Sequence, residues 1–262
     1  MLEICMLASG SSGNAIYVAT GETKILIDAG LSGKKIAAAL CAVGVEASEL
    51  SALLLSHDHV DHTSGAGVMA RRYGLPVYAT EPTWQAAGKL MGRIAAEQCC
   101  KLTNCGTITL GDLTVETIPV PHDAADPVGF VFRHGPHAIA LVTDLGYVTP
   151  YILQRLQAMD CLVLEANHDE EMLRQGQYPW PLKKRILSDK GHLSNNLAAA
   201  SLSQVISEQT QHVVLAHLSE QNNCPQLAFD TVCCHLEETG QLKNLAVHIA
   251  ERHLPSCHIR LA

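Results

Sequence analysis

The stretch "LLLSHDHVDHTSG", residues 53–65, decides how this chain is to be read. A run of leucines delivers His57, Asp58, His59, Asp61 and His62 and then passes into something helix-like. Merely solvated side chains of these kinds would sit on a polar stretch, whereas here an apolar, strand-like run carries them to its end, which predicts delivery to a site. A dication that activates water requires several neutral nitrogens or anionic oxygens as ligands, and an H-x-H-x-D-H turn can aim them at two adjacent points. His57 and His59 share one direction, while Asp61 and His62, one step further round, can face a second ion. The plainer reading, a helix start with polar caps, has no use for so many titratable groups.

Working outward, other polar residues also terminate strand-like runs. Asp28 closes a strand predicted over 23–28, His122 follows "IPVP", Asp144 follows "LVT" and His217 follows "VVLA". Taken singly, His122 reads as a ligand or a surface histidine, Asp144 as a ligand or a helix cap, and His217 as a ligand or a core or loop residue. Together with the 57–62 cluster they supply enough ligands for two cations, with Asp144 able to bridge them.

The remaining pattern alternates strands and helices. Strands are predicted over 2–8, 15–19 and 23–28, with the turn "SGSSGN" (9–14) between the first two and hairpins as their arrangement. Ser32 caps a helix over 33–42 that Gly44 stops, a strand over 52–55 leads into the histidines, and Thr63 caps a helix ended by Gly74. Four strand-like runs follow between 106 and 142, then a helix over 149–158, a buried strand over 161–166, a long polar connection, a helix over 195–208 and a strand over 212–217. Two batches of strands, each followed by helices, predict an α/β fold of two face-to-face sheets with helices outside, in a single domain spanning 1–262.

With 262 residues, 47% of them hydrophobic and 17% charged, the composition is that of an ordered globular chain. The net charge of −8 argues against a surface coated for non-specific nucleic-acid binding, although a local basic strip or bound dications could still receive a phosphate backbone. The ten cysteines lack C-x-x-C spacing and read as reduced thiols, which predicts a cytoplasmic protein; no apolar run approaches the length of a membrane span.

The ordered set Asp28, His57/His59/Asp61/His62, His122, Asp144 and His217 resembles the metallo-β-lactamase superfamily over nearly the whole chain. "SGSSGN", "SHDHVDH", "HDAADPVGF", "TDLGY", "EANHD", "GHLSN" and "AHLSEQNN" are similar most closely to its YycJ (WalJ) branch. The resemblance implies a four-layer αββα sandwich, two divalent metal ions, Zn or Mn, and a phosphodiesterase acting as a 5′-to-3′ exonuclease on DNA through a metal-bridging hydroxide. It implies His57, His59 and His122 on one ion, Asp61, His62 and His217 on the other and Asp144 between them, with Asp28 orienting a ligand or the water. "LEANHDEEM" and "SDKGHLSNN" resemble the Glu-and-His proton donors of the tRNase Z nucleases, which assigns His192 as general acid and Glu165 as its orienting partner.

Substrate contacts are expected from Ser12 and Asn14 in the Gly/Ser turn, from Asn222 and Asn223, and from His168, which reads equally as a solvated helix-start histidine. Lys183, Lys184, Arg185 and Lys190 beside Trp180 form a candidate nucleic-acid landing strip with one stacking aromatic. A small-molecule hydrolase with the same metals, acting on a thioester, a lactone or a cyclic nucleotide, is the competing reading. A regulatory protein that has lost catalysis would lack a ligand, and none is missing.

Overall fold

The computed structural model describes residues 1–262. Its strands form two mixed sheets of seven, and the chain divides into two compact units. The first comprises Met1–Pro119, Ala124–His137 and Glu251–Ala262; the second comprises Val120–Asp123 and Ala138–Ala250. No helix is long and apolar enough to cross a membrane.

In the first unit, β1 (Leu2–Ala8), β2 (Ala15–Ala19) and β3 (Lys24–Ile27) run antiparallel, the expected hairpins. The direction then changes, because a parallel neighbour needs a crossover. Helix α1 (Gly33–Ala42), whose cap Ser32 accepts from the amide of Lys35, returns the chain so that β4 (Ala52–Leu54) lies parallel to β3. The polar cluster follows β4 and enters α2 (Val60–Thr63) and α3 (Ala66–Tyr73).

Thr63 does not cap the second of these, as the sequence predicted. The helical turn starts inside the motif with His59 at its N-cap, and Thr63 Oγ1 donates to the His59 carbonyl at 2.8 Å. Gly65 breaks the path between α2 and α3 because its backbone is pressed against a neighbouring loop; a Cβ there would lie 2.0 Å from the carbonyl oxygen of Leu31.

Three elements that the sequence reading left unassigned follow: β5 (Val77–Thr80), α4 (Glu81–Met91) and β6 (Cys99–Leu102), which complete a parallel run from β3. An antiparallel meander of β7 (Thr107–Leu110), β8 (Leu113–Pro119) and β9 (Val128–His134) comes next. The last strand of the chain, β14 (Ser256–Leu261), joins this unit antiparallel to β1.

The second unit is built on four parallel strands, β10 (His137–Val142), β11 (Cys161–Glu165), β12 (His212–Ala216) and β13 (Ala246–Ile249). β10–β12 carry continuous apolar runs, Ala138–Val142, Cys161–Leu164 and Val213–Ala216, as strands covered on both faces must. Crossovers are α5 (Pro150–Arg155), shorter than predicted, and α9 (Pro225–Glu238). The connection read as polar contains two short helices, α6 (Glu170–Gln175) and α7 (Trp180–Ile186), before α8 (Asn195–Val205). Neither is legible in the sequence, because a helix of two turns carries too few periods to register in a hydrophobic pattern.

Gly30 marks the tightest approach in the first unit, since a Cβ there would lie 1.6 Å from the Asp61 carbonyl oxygen. Gly44, with φ +80°, has nothing within 4 Å of such an atom. Gly44→Ala is therefore expected to cost only the left-handed backbone penalty of about 1 kcal/mol, and Gly30→Ala several times as much by forcing two loops apart. Paired thermal melts check this, and equal losses would show that the loop contact is soft.

Candidate metal centre

The first unit assembles its polar cluster from three loops. The amide of Asn14 donates to the Asp61 carbonyl at 2.8 Å, that of Ala29 to His62 at 2.7 Å and that of Gly65 to Ala29 at 2.7 Å. Within this cradle His57 and His62 are buried, with ring centroids 4.1 Å apart, and His59 sits 4.7 Å from His57.

Asp28, just past β3, organises the cluster. Its Oδ1 accepts from the Ser56 amide at 2.8 Å, and its Oδ2 accepts from Ser56 Oγ at 2.8 Å and from His62 Nδ1 at 2.7 Å. Because the one hydroxyl hydrogen of Ser56 points to Asp28, Ser56 Oγ accepts from His57 Nδ1 at 3.0 Å. Sequence reasoning missed Ser56; its place between a strand end and the first histidine was the available signal.

Asn14, expected to meet substrate, is buried. Its amide nitrogen donates to the carbonyl of Gly10 and approaches His62 Nε2 at 3.0 Å, while its oxygen accepts from the Gly10 amide, so it braces the Gly/Ser turn against the histidine loop. Ser12 is exposed on that turn.

In the second unit the relevant residues stand at the C-terminal ends of neighbouring parallel strands, where α/β sheets hold their ligands. Asp144 follows β10, Glu165 ends β11 and His217 follows β12. Glu165 is fully buried. Its Oε1 accepts from His192 Nδ1 and from His217 Nδ1, each at 2.8 Å, and its Oε2 accepts from the amides of Leu145 at 3.1 Å and Leu193 at 3.0 Å. Burial alone would raise its pKa, but the two imidazoles outweigh it and keep the carboxylate ionised. Sequence reasoning expected Glu165 to orient His192; that it also holds His217 was not visible there.

Asp144 Oδ1 lies 3.4 Å from His217 Nδ1 and 3.9 Å from His122 Nε2. His122 is pinned by donation from Nδ1 to the Gly191 carbonyl at 3.0 Å, and burial lowers its pKa against the opposing pull of Asp144. Asp144, Glu165, His192 and His217 bring one potential ligand atom each within 4.8 Å of one another.

The donor chemistry fits divalent metal ions. In His57, His62, His122 and His217 the Nδ1–H is committed to a hydroxyl, a carboxylate or a carbonyl, which makes Nε2 the lone-pair nitrogen of each ring. Anchoring one ring nitrogen so that the other presents its lone pair is how proteins prepare imidazoles for metal. Asp28, Asp144 and His217 moreover hold left-handed backbones, at φ 58°, 57° and 57°. Non-glycine residues adopt such angles at a cost, and they gather at functional sites.

The remaining candidates divide. Asn223 is buried and its amide is engaged with Ala166, Asn167 and Asn195, so it staples loops, while Asn222 is buried with its side-chain amide on Ser219 of its own turn. Lys183 turns inward and donates to the carbonyls of Arg174 and Gly176, each at 2.7 Å; it closes the end of α6 instead of facing a strand of nucleic acid. Arg185 forms a two-pronged pair with Asp123. Lys184 lies over the exposed ring of Trp180, and Lys190 is exposed. His168 is buried, not a solvated helix-start residue.

Residues 23–218 match the model of the β-lactamase superfamily domain, a span that draws on both units. The chain belongs to the metallo-β-lactamase superfamily. It is 45% identical to exodeoxyribonuclease YycJ of Bacillus anthracis over 91% of this chain and 90% of that protein. It is 42% identical to exodeoxyribonuclease WalJ of Streptococcus pneumoniae serotype 2 over 89% and 87% of the two chains. Among solved structures, the metallo-β-lactamase fold protein YhfI from Bacillus subtilis superposes with a TM-score of 0.71 at 16% identity, covering 97% of this chain and 98% of that one. The fold is accordingly the αββα sandwich, and the protein is a metal-dependent hydrolase.

Burial pushes the pKa of His168 down to about 4. Above pH 6.5 the residue is neutral whether folded or not and its titration does not affect stability. As pH falls from 6.5 to about 4 the unfolded chain binds a proton that the folded one refuses, so stability is lost across that window. Metal-free protein carrying His168→Asn is expected to lose less stability than wild type between those pH values, by up to about 3 kcal/mol. Denaturant melts across the pH range check this, and superimposable profiles would refute it.

Proposed function

We propose that this hydrolase is a dinuclear phosphodiesterase that acts as an exonuclease on DNA. The observation that carries the reading is Glu165, which grips His192 and His217 through one oxygen atom. A candidate proton donor is thereby held with its ring centroid 5.2 Å from a candidate ligand, His217, and 5.1 Å from another, His122. Two relatives of more than 40% identity named exodeoxyribonucleases support the choice of substrate.

His57, His59 and His122 would hold one ion and Asp61, His62 and His217 the other, with Asp144 shared. Bound there, the ions would acidify a water and neutralise charge on the phosphoryl oxygens. Asp28 fixes the ring of His62. His192, anchored at Nδ1 by Glu165, presents Nε2 to protonate the departing oxygen, and the ionised Glu165 stabilises the imidazolium beforehand. The His192 side chain is 14% exposed, enough to regain its proton from solvent. Asn14, Asn222, Asn223 and Lys183 act as scaffold, which leaves Ser12, His168, Trp180, Lys184 and Lys190 as substrate contacts.

The inward turn of Lys183 and the pairing of Arg185 with Asp123 thin the basic strip and favour, as a second reading, a small-molecule substrate. Turnover of end-labelled DNA beside a thioester and bis-p-nitrophenyl phosphate separates the two readings.

Elemental analysis after reconstitution should find two ions per chain; a single tightly held ion, with no second site on metal titration, would overturn the dinuclear assignment. His192→Ala should keep its metal and slow DNA hydrolysis by roughly 10²–10⁴-fold, the range of general acid catalysis. The loss should shrink on bis-p-nitrophenyl phosphate, whose leaving group needs no proton, and equal losses on both substrates would make His192 a positioning residue.

A further inference from the structure

A cavity of about 280 Å³ opens in the second unit beside His192. His168, Glu170 and Arg174 contribute its polar wall, and Leu187 and Leu197 an aliphatic one. The two leucines are 41% and 48% exposed, large apolar side chains left bare at its mouth. His168 is the reverse: it is 1% exposed, and neither of its ring nitrogens has a hydrogen-bond partner. Buried polar groups are nearly always satisfied, so two unmet nitrogens on an imidazole that lines the cavity mark a missing partner, which a ligand entering there and meeting at least one of them would supply.

The charges around the cavity speak against an anion. His168, its pKa lowered by burial, is neutral at physiological pH and offers one donor and one acceptor. The Arg174 guanidinium lies 2.8 Å from one oxygen of Glu170, whose other oxygen accepts from Ser194 Oγ at 3.2 Å. A phosphate at that wall would therefore face a carboxylate whose one neighbouring guanidinium is already paired. A flat, neutral heteroaromatic group with donors and acceptors along one edge suits the mixture of aliphatic cover and neutral imidazole, and the volume, at the lower end for ligand pockets, suits one such group with its sugar.

We propose that this cavity receives the terminal nucleobase of the strand being degraded, with Leu187 and Leu197 covering its faces and His168 hydrogen-bonding its edge. The proposal rests on the nuclease reading above. Since His192 lines the same cavity, a base seated there belongs to a nucleotide next to the bond that His192 would help to break. His168 is then a specificity residue: it grips the base and takes no part in the proton transfer.

Two measurements test this, one of them without turnover. In metal-free protein, deoxyadenosine and thymidine should shift the His168 ring proton resonances saturably, and 2-deoxyribose 5-phosphate should not. In metal-loaded protein, oligonucleotides ending in a tetrahydrofuran abasic residue should show KM raised roughly 10- to 100-fold over those with an intact terminal base. His168→Leu should bring that ratio close to one, while His168→Asn, which keeps a donor and an acceptor, should preserve part of it. Equal KM values for intact and abasic ends in the wild type would overturn the proposal, as would a His168 response to the sugar phosphate and not to the nucleosides. If nucleosides shift His168 but no DNA is hydrolysed with any divalent ion, the nuclease reading fails and the base site stands.

Discussion

The Glu165 carboxylate is the group on which the second unit depends. It is wholly buried, it stays ionised, and it accepts from two imidazoles through one oxygen and from two backbone amides through the other. A charge so placed is tolerated only because its lone pairs are met, and removing one partner of such a group typically costs 3–5 kcal/mol. The end of β11, the loop after β10, the turn at 191–194 and the residue after β12 must therefore all arrive at one point. His192 and His217 are held as a consequence, and with them the candidate acid and a candidate ligand.

Asp28 does the same work in the first unit by different means. It binds the hydroxyl and the amide of Ser56 and the ring of His62, so that a relay from His57 through Ser56 and a direct bond from His62 both end on one carboxylate. In both units a carboxylate accepts from the Nδ1 of histidines and so sets which nitrogen carries the lone pair. The left-handed backbones of Asp28, Asp144 and His217 turn each side chain away from the line of its strand, a strained arrangement that the dense hydrogen bonding around them maintains.

Several polar residues that a sequence invites one to read as substrate contacts belong to this scaffolding. Asn14 braces a turn, Asn223 joins three segments, and Lys183 closes a helix end. Each has a donor-rich side chain in a loop near the motifs, which is what a substrate contact would also show. What separates the two roles is burial, and burial depends on distant parts of the chain.

The sequence by itself determined the class of fold and singled out the candidate ligands, because strand ends, polar residues and their order are local properties that hydrophobic runs delimit. The first three strands, α1 and the parallel strands around Glu165 were legible for the same reason. The elements β5, α4 and β6 and the two short helices at 170–186 were not, since short segments are stabilised by neighbours and carry little period of their own. Only the tertiary structure placed Ser56 between His57 and Asp28 and set His217 beside His192 on Glu165. It also buried His168 against an open cavity. Hydrogen bonds between residues 28 and 56, or 165 and 217, follow from which strands lie side by side, and strand adjacency is decided by the packing of the whole sheet.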